Sequence, residues 1–243
     1  MEVDIKQRPS LKRQRSFYGK APPMKRQRTG SFKKASIQTK LLKPQSHSEV
    51  KCIDRAHQTS TLSTTAVFTL LNPIVPGDDI YQRTGRTLNM KSLRVQGYLN
   101  NTATTVQSFA RVMVVYDKQS NAANPVIGDI IQDMNGTPAT DVYSHPNLNN
   151  RERFVIIKDC RFSNPSVTNA AGVLTNLGTV NTAQSIVIDW FLPLRGAETT
   201  YNATGGATIA SIVTGALFLI TFSSDPNPNW SFDFTPRLRF VNK

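Results

Sequence analysis

The stretch Trp230-Ser-Phe-Asp-Phe-Thr-Pro-Arg-Leu-Arg-Phe240 alternates apolar and polar residues from end to end. Successive side chains of a β-strand point to opposite faces, so this pattern predicts a strand with one apolar and one polar face. Pro236 cannot donate a hydrogen bond to a neighbouring strand, which predicts an edge position or a bulge. The apolar face, which we expect to lie in the core, comprises Trp230, Phe232, Phe234, Leu238 and Phe240.

The rest of the chain after residue 44 continues this β pattern. Its apolar segments are rich in Thr, Val, Ile and Phe, and the connections between them are rich in Asn, Pro, Gly and Thr. One short helix is predicted at residues 127–134, and long amphipathic helices are absent from the pattern. The further predicted strands span residues 50–57, 66–71, 88–99, 109–117, 153–162, 185–192, 201–204 and 212–222.

About eight or nine strands without long helices argue against a parallel α/β sheet and favour an antiparallel sandwich. Among such folds, the jelly roll combines eight strands with long inserted loops. We therefore predict an all-β fold, a single eight-stranded antiparallel jelly-roll sandwich with long inter-strand loops at residues 120–150 and 163–184. Four further residues are expected to be core rather than an aromatic ligand site, namely Phe109, Val115, Phe154 and Trp190.

The positive charge of the chain is concentrated at its N-terminus. The 29 Lys and Arg residues and 16 Asp and Glu residues give a formal net charge of +13. Residues 1–44 hold 13 basic and 2 acidic residues (+11), which leaves 16 basic and 14 acidic residues in the other part. A globular protein that is basic throughout, a mainly disordered chain and a membrane protein all fit this distribution poorly. We predict a disordered basic N-terminal arm at residues 1–44, called the arm below, and a jelly-roll domain at residues 45–243.

The arm combines cationic clusters with aromatic residues. The tetrapeptide Lys-Arg-Gln-Arg occurs at residues 12–15 and again at residues 25–28. Lys and Arg displace the counterions of a phosphate backbone, and aromatic rings stack on unpaired bases, so this combination suits single-stranded nucleic acid. The residues predicted to bind nucleic acid are Lys12, Arg13, Arg15, Phe17, Tyr18, Lys20, Lys25, Arg26, Arg28, Phe32, Lys33, Lys34 and Lys40.

Three other interpretations of the arm use the same residues. A charged tail can act as a solvating segment, and a basic segment can touch anionic lipid. The two clusters also have the spacing of a bipartite nuclear-localisation signal, formed by Lys12, Arg13, Arg15, Lys25, Arg26 and Arg28. Membrane insertion is not expected, because the longest apolar stretch, residues 209–222, is shorter than a membrane span and is interrupted by polar residues.

No motif for enzyme chemistry or cofactor binding is present in the sequence. The three histidines, His47, His57 and His145, lack metal-ligand spacing, and phosphate-binding glycine loops and nucleophile elbows are missing. The paired acids Asp78 and Asp79 could hold Ca²⁺, although solvated loop acids are the simpler interpretation. Two cysteines are too few for a disulfide framework. We therefore predict a protein that is not an enzyme and has neither cofactor nor metal site.

Two strings resemble a known family. Gly77-Asp-Asp-Ile-Tyr-Gln-Arg-Thr-Gly-Arg86, leading into residues 88–98, looks like the stretch entering strand C in capsid proteins of circular, Rep-encoding single-stranded DNA (circovirus-like) viruses. Arg111-Val-Met-Val-Val-Tyr-Asp-Lys-Gln119 resembles their next strand and its exit. Coat proteins of satellite viruses with RNA genomes look similar too. The arm differs from those of circoviruses, which are extremely rich in Arg, because it mixes Lys and Arg and interleaves Gln.

The resemblance implies a capsid protein that assembles into the smallest icosahedral shell (T=1, about 60 copies), with the arm facing a packaged single-stranded genome. It implies DNA as cargo in preference to RNA, a virion location, and passage through the host nucleus by way of the nuclear import machinery. An unidentified host receptor would meet the outer loops. Arms near +11 on about 60 copies would supply roughly 660 positive charges. The competing interpretation is a nuclear nucleic-acid-binding or movement protein that acts as a monomer or dimer.

Overall fold

The structure is a computed structural model that describes residues 49–102, 108–133, 141–163, 166–168, 174–176, 184–203 and 205–243. The arm lies outside these residues, so the predictions made for it, including the boundary at residue 44, stay predictions. Parts of the two predicted long loops lie outside them as well.

The described residues are mainly β-structure. The strands are β1 (Val50–Asp54), β2 (Gln58–Leu62), β3 (Val67–Leu70), β4 (Thr87–Asn101), β5 (Phe109–Asp117), β6 (Phe154–Ser163), β7 (Ser166–Thr168), β8 (Leu174–Asn176), β9 (Gln184–Tyr201), β10 (Ile212–Thr214), β11 (Ala216–Ser223) and β12 (Trp230–Asn242). The helices are α1 (Ile127–Ile130) and two 3₁₀ turns, Leu148–Asn150 and Ile209–Ser211.

The strands form two antiparallel sheets. Sheet A has the order β1-β12-β4-β9-β10, with β2 also paired to β12, and sheet B has the order β3-β11-β5-β6. Strands β1 and β2 pair with successive halves of β12 and together make one interrupted edge strand. With β10 as a short addition, each sheet has four main strands, and the chain crosses between sheets after β2, β3, β4, β6, β10 and β11. This confirms the predicted jelly-roll sandwich.

The core lies between the sheets and is filled by the residues that the alternation predicts. Trp230, Phe232, Phe234, Leu238 and Phe240 are all buried. Every residue of β11 is buried, because this strand lies inside sheet B. Val115 and Phe154 are buried as predicted, whereas Phe109 and Trp190 are only half-buried and pack against the core.

The edge position predicted for the strand containing Pro236 is wrong, because β12 lies between the β1/β2 edge and β4. The register shift in its pairing with β4 falls between Arg239 and Phe240, away from the proline. The Pro236 carbonyl accepts a hydrogen bond from the Arg55 N–H at 3.1 Å, on the side where β1 ends and β2 has not begun. A residue's N–H and C=O point to the same side of a strand, so the missing donor falls at this interruption.

Strand boundaries differ from prediction where backbone geometry intervenes. Residues 50–57 contain the whole of β1, which ends at Asp54. A second strand, β2, begins at Gln58 and was not predicted. Tyr201 is the last residue of β9 and the described residues 202 and 203 are not in a strand, so the prediction of a separate strand that begins at 201 is wrong. Residues 212–222 are divided by Gly215, whose φ is +78° and whose added Cβ would lie 1.9 Å from the Glu198 carbonyl oxygen. The chain changes sheets there, since β10 belongs to sheet A and β11 to sheet B.

One smaller expectation is met and another needs adjustment. With β1 and β2 counted as one strand, β4 is the third strand, as the predicted order has it, and residues 77–86 lead into it. The predicted helix is present but shorter, at Ile127–Ile130. Strands β7 and β8, which pair with each other, were not predicted.

Candidate nucleic-acid interface

The predicted nucleic-acid-binding and nuclear-localisation residues all belong to the arm and lie outside the described residues. The described part of the chain contributes a different surface, which sequence reasoning left unplaced. It is the face of sheet A that points away from sheet B, called the outer face below. Alternation puts the polar residues of β12 on this face, opposite the buried aromatic residues.

The strand register places two arginines side by side on the outer face. Arg237 of β12 is paired with Arg94 of β4, and Arg94 is paired with Phe191 of β9. On the other side of β12, Arg237 is paired with Asp54. The adjacent row contains Arg239, which is paired with Ser92. Directly paired residues have Cβ atoms about 4.5–5.5 Å apart, so these side chains form one cluster.

Each of the two opposed arginines is oriented by an aspartate. Arg94 donates from Nε and Nη2 to the two carboxylate oxygens of Asp189, at 3.0 and 2.8 Å. Arg237 donates in the same way to Asp54, at 2.6 Å for both bonds. The hydrogen bonds from Arg237 and Arg94 hold the pKa values of Asp54 and Asp189 below their usual range. Each guanidinium has five N–H donors and uses two here, so three remain for another acceptor.

The cluster surrounds a depression of about 370 Å³, called the arginine depression below. Arg239 is exposed there and has no ion pair among the described residues. Phe191 lies at its rim with 65% of its surface exposed. The lining residues are Ser92, Arg94, Asp189, Phe191, Arg237 and Arg239. An open depression lined by cations and an exposed aromatic ring can accept an anionic group and a planar one together.

Folding alone does not account for this arrangement. Like charges directly opposite each other on paired strands are destabilising, and Arg94 and Arg237 are such a pair. Their exposed ion pairs with aspartate contribute little stability, about 0–1 kcal/mol each. A large exposed apolar ring beside two cations adds no core packing either. These features suit a surface that is covered by an anionic partner.

The other half of the outer face also has a depression, of about 430 Å³, but neither Lys nor Arg is among the residues that line it. Tyr98 and Val187, a cross-strand pair, are exposed there. Asp233 accepts hydrogen bonds from Thr59 at 2.5 Å and Asn100 at 3.2 Å, and lies 3.6 Å from His57 Nε2. The basic character of the face is thus confined to the half around the arginine depression.

The loop containing Asp78 and Asp79, considered above as a Ca²⁺ site, binds the ammonium group of a lysine through its backbone carbonyls. Lys51 is buried, and its Nζ donates to the backbone carbonyls of Asp78 and Asp79, both at 3.1 Å. Within the described ranges, no three His, Cys, Asp or Glu side chains are grouped so that they could hold a metal ion. Cys52 and Cys160 are free thiols.

Two buried ion pairs anchor the long loop between β5 and β6, and sequence reasoning missed both. Arg111 is fully buried and donates to both carboxylate oxygens of Asp159 and to the carbonyls of Val142 and Ser144. Asp117 is fully buried and accepts two hydrogen bonds from Arg153, each of 2.9 Å. The sequence does show a charged residue at each end of the apolar run of β5, namely Arg111 and Asp117. Because a buried charge requires a partner of opposite charge, this pattern could have predicted ion pairs here.

The two four-stranded sheets define the class of protein, a double-sheet jelly roll, which viral capsid proteins share with lectins and cupins. The family model of the satellite tobacco necrosis virus coat protein matches residues 24–241 of the chain. The chain belongs to this coat-protein family, which is a structural rather than an enzymatic one. It is therefore a capsid protein whose copies form a small icosahedral shell, and it is located in the virion.

The match confirms the predicted capsid role, while the assignment to Rep-encoding DNA viruses is not supported by it. The satellite-virus coats are the second group that the sequence resembles. The matched region includes the second basic cluster, which begins at Lys25. A search of curated proteins found no match. In the described part of the chain, no helix is long and apolar enough to cross a membrane.

Proposed function

We propose that the chain is the shell subunit of a T=1 particle of about 60 copies, and that its arm packages a single-stranded genome by charge and base stacking. The observation that carries this proposal is the family match over residues 24–241. The arm adds +11 per subunit to a domain whose own charges nearly cancel. When many copies of a coat protein surround one nucleic-acid strand, the basic side chains of their arms neutralise its phosphates.

The arm contacts bind without reading base sequence. Lys and Arg neutralise phosphates, and every base presents a ring face for stacking, so neither contact discriminates between bases. The aromatic residues proposed to stack are Phe17, Tyr18 and Phe32, and the cations flank them on both sides. Binding of this kind depends steeply on salt concentration.

Deletion of residues 1–40 tests the role of the arm. The truncated protein should remain folded and lose high-affinity binding to single-stranded oligonucleotides, with a much smaller slope of log affinity against log salt concentration. An unchanged slope would contradict the proposal. Sedimentation of the full chain tests the shell, because a discrete particle of many tens of subunits supports it. A dimer that persists at high concentration would instead favour a nuclear nucleic-acid-binding or movement protein.

The cargo and the route of assembly are part of the same proposal. DNA is proposed on the two strings at residues 77–98 and 111–119, and digestion of extracted cargo with DNase or RNase distinguishes the two nucleic acids. Nuclear import is proposed for the clusters that begin at Lys12 and Lys25. Replacing the six basic residues of these clusters by Gln should keep a fluorescent fusion in the cytoplasm, and nuclear accumulation of that variant would contradict the proposal.

A further inference from the structure

We propose that the arginine depression is a nucleotide subsite, in which a phosphate lies against Arg94, Arg237 and Arg239 and a base stacks on Phe191. This inference rests on the proposed function, because it assigns the outer face of sheet A as a second contact with the packaged strand. It concerns a site on the jelly-roll domain and is separate from the arm.

The cations supply the phosphate contact. Arg94 and Arg237 are paired across adjacent strands, and Arg239 is two residues beyond Arg237, on the same face. The carboxylates of Asp189 and Asp54 fix the planes of two guanidiniums through paired hydrogen bonds and leave their other N–H groups free. Fixed guanidinium planes lose less side-chain entropy when they bind phosphate than free ones do. Arg239 contributes a positive charge with no carboxylate partner among the described side chains.

The ring supplies the base contact. Phe191 lies directly across from Arg94, on the neighbouring strand, and 65% of its surface is exposed. A phosphate and its own base are joined through one sugar, so a subsite for a nucleotide needs a cation and an aromatic ring side by side. A double helix keeps its bases stacked inside, so an unpaired strand is the form of nucleic acid that can use both groups.

Fluorescence anisotropy of the full chain with labelled (dT)₂₀ and (rU)₂₀ tests the subsite. Phe191→Ala should weaken binding about tenfold, as expected for the loss of one stacked base, without changing the salt slope. Phe191→Tyr should retain affinity, while Phe191→Leu should lose it although it stays apolar. The matched control is Val187→Ala, because Val187 is exposed on the same strand and face. Equal affinities for the alanine variants of residues 187 and 191 would overturn the stacking contact.

The phosphate contact has its own control. Arg239→Gln should reduce the slope of log affinity against log salt by about 0.7, the value for one phosphate on a single strand. Arg151→Gln removes an exposed charge from the loop that joins β5 and β6 of sheet B, and should leave the slope unchanged. Equal slopes for these two variants would overturn the contact. Crosslinking with iodouracil-substituted oligonucleotide should label a peptide containing Phe191, and crosslinks confined to residues 1–44 would count against the subsite.

The outcomes separate this inference from the proposed function. If the unmodified chain binds neither oligonucleotide, both are overturned. If the chain binds and loses binding only when the arm is deleted, with no effect of the substitutions at residues 191 and 239, the proposed function stands and the subsite is rejected.

Discussion

Replacing Arg111 by Met should destabilise the jelly-roll domain far more than replacing Arg237 by Met. Both arginines form two-point ion pairs with an aspartate, but Arg111 is fully buried whereas 58% of the Arg237 side chain is exposed. The Arg111 guanidinium also donates to the Val142 and Ser144 carbonyls, at 3.2 and 2.7 Å. Removing it leaves Asp159, whose side chain is only 25% exposed, without its cation.

The magnitudes follow from burial. Breaking a buried ion pair by removing one partner costs about 3–5 kcal/mol, whereas an exposed pair contributes about 0–1 kcal/mol. For a domain of this size, 1 kcal/mol corresponds to about 2–4 °C in Tm. Arg111→Met should therefore lower Tm by about 6–20 °C and Arg237→Met by less than about 4 °C. Exchanging both Arg111 and Asp159 for apolar residues should recover part of the loss, because no uncompensated charge then stays buried.

Differential scanning calorimetry of both variants at one protein concentration and one salt concentration is the assay. These conditions must match, because assembly is linked to folding and makes Tm depend on concentration. Limited proteolysis provides a second measurement, since loss of the Val142 and Ser144 anchors should open the loop between β5 and β6 to cleavage. Equal shifts in Tm for the two variants, with unchanged cleavage of this loop, would refute the reasoning.

Three further predictions test other parts of the molecule. Asp54→Asn removes one negative charge from the outer face and keeps one side-chain oxygen that can accept from Arg237. It should tighten oligonucleotide binding by a few-fold with less than about 1 kcal/mol change in stability. Because Arg237 holds the pKa of Asp54 below its usual range, the gain in affinity should be the same at pH 5 and pH 7, and weaker binding would contradict it. Tyr201→Phe removes a buried hydrogen bond of 2.7 Å to the Asn72 carbonyl and should cost about 1–3 kcal/mol. Burial raises the pKa of Tyr201 above its ordinary value of 10.0, so the parent chain should lose stability as pH rises beyond about 10 and the variant should lose less, as thermal melts between pH 8 and pH 11 would check. Gly215→Ala should cost at least about 2 kcal/mol, because the residue has a positive φ and its Cβ would overlap a carbonyl oxygen. Gly206→Ala, where nothing lies within 4 Å of the added Cβ, should be nearly neutral in the same chemical denaturation experiment.

The strands could be predicted from sequence where side-chain period alone decides the structure. The buried face of Trp230, Phe232 and Phe234 follows from alternation, because only a strand places every second residue on one side. Gly215 could not be interpreted in this way, since an apolar run looks the same whether or not the chain changes sheets within it. Pro236 was misplaced because its tolerance depends on the interruption between β1 and β2, in a partner segment about 180 residues earlier in the sequence.

The candidate interface was only half accessible to sequence reasoning. The arm can be identified from composition, because its charge and aromatic residues lie close together in the chain. The arginine depression cannot, since Arg94, Phe191 and Arg237 come from three strands and meet only through the register of sheet A. Arg111 and Asp117 could have been recognised as buried charges that each need a partner of opposite charge. Nothing in their own strand identifies these partners as Asp159 and Arg153.

The arm and the outer face differ in net charge, and this difference indicates different roles. The three arginines of the depression are offset by Asp54 and Asp189, so the surplus is one positive charge per subunit, against +11 for the arm. In the proposed shell of about 60 copies this would be roughly 60 charges beside roughly 660, too few to contribute much to the salt-dependent affinity. Phosphate contacts from fixed side chains instead set the position and orientation of a bound strand. The arm should therefore determine how much nucleic acid each shell holds, and the arginine depression should determine where the strand lies on the domain.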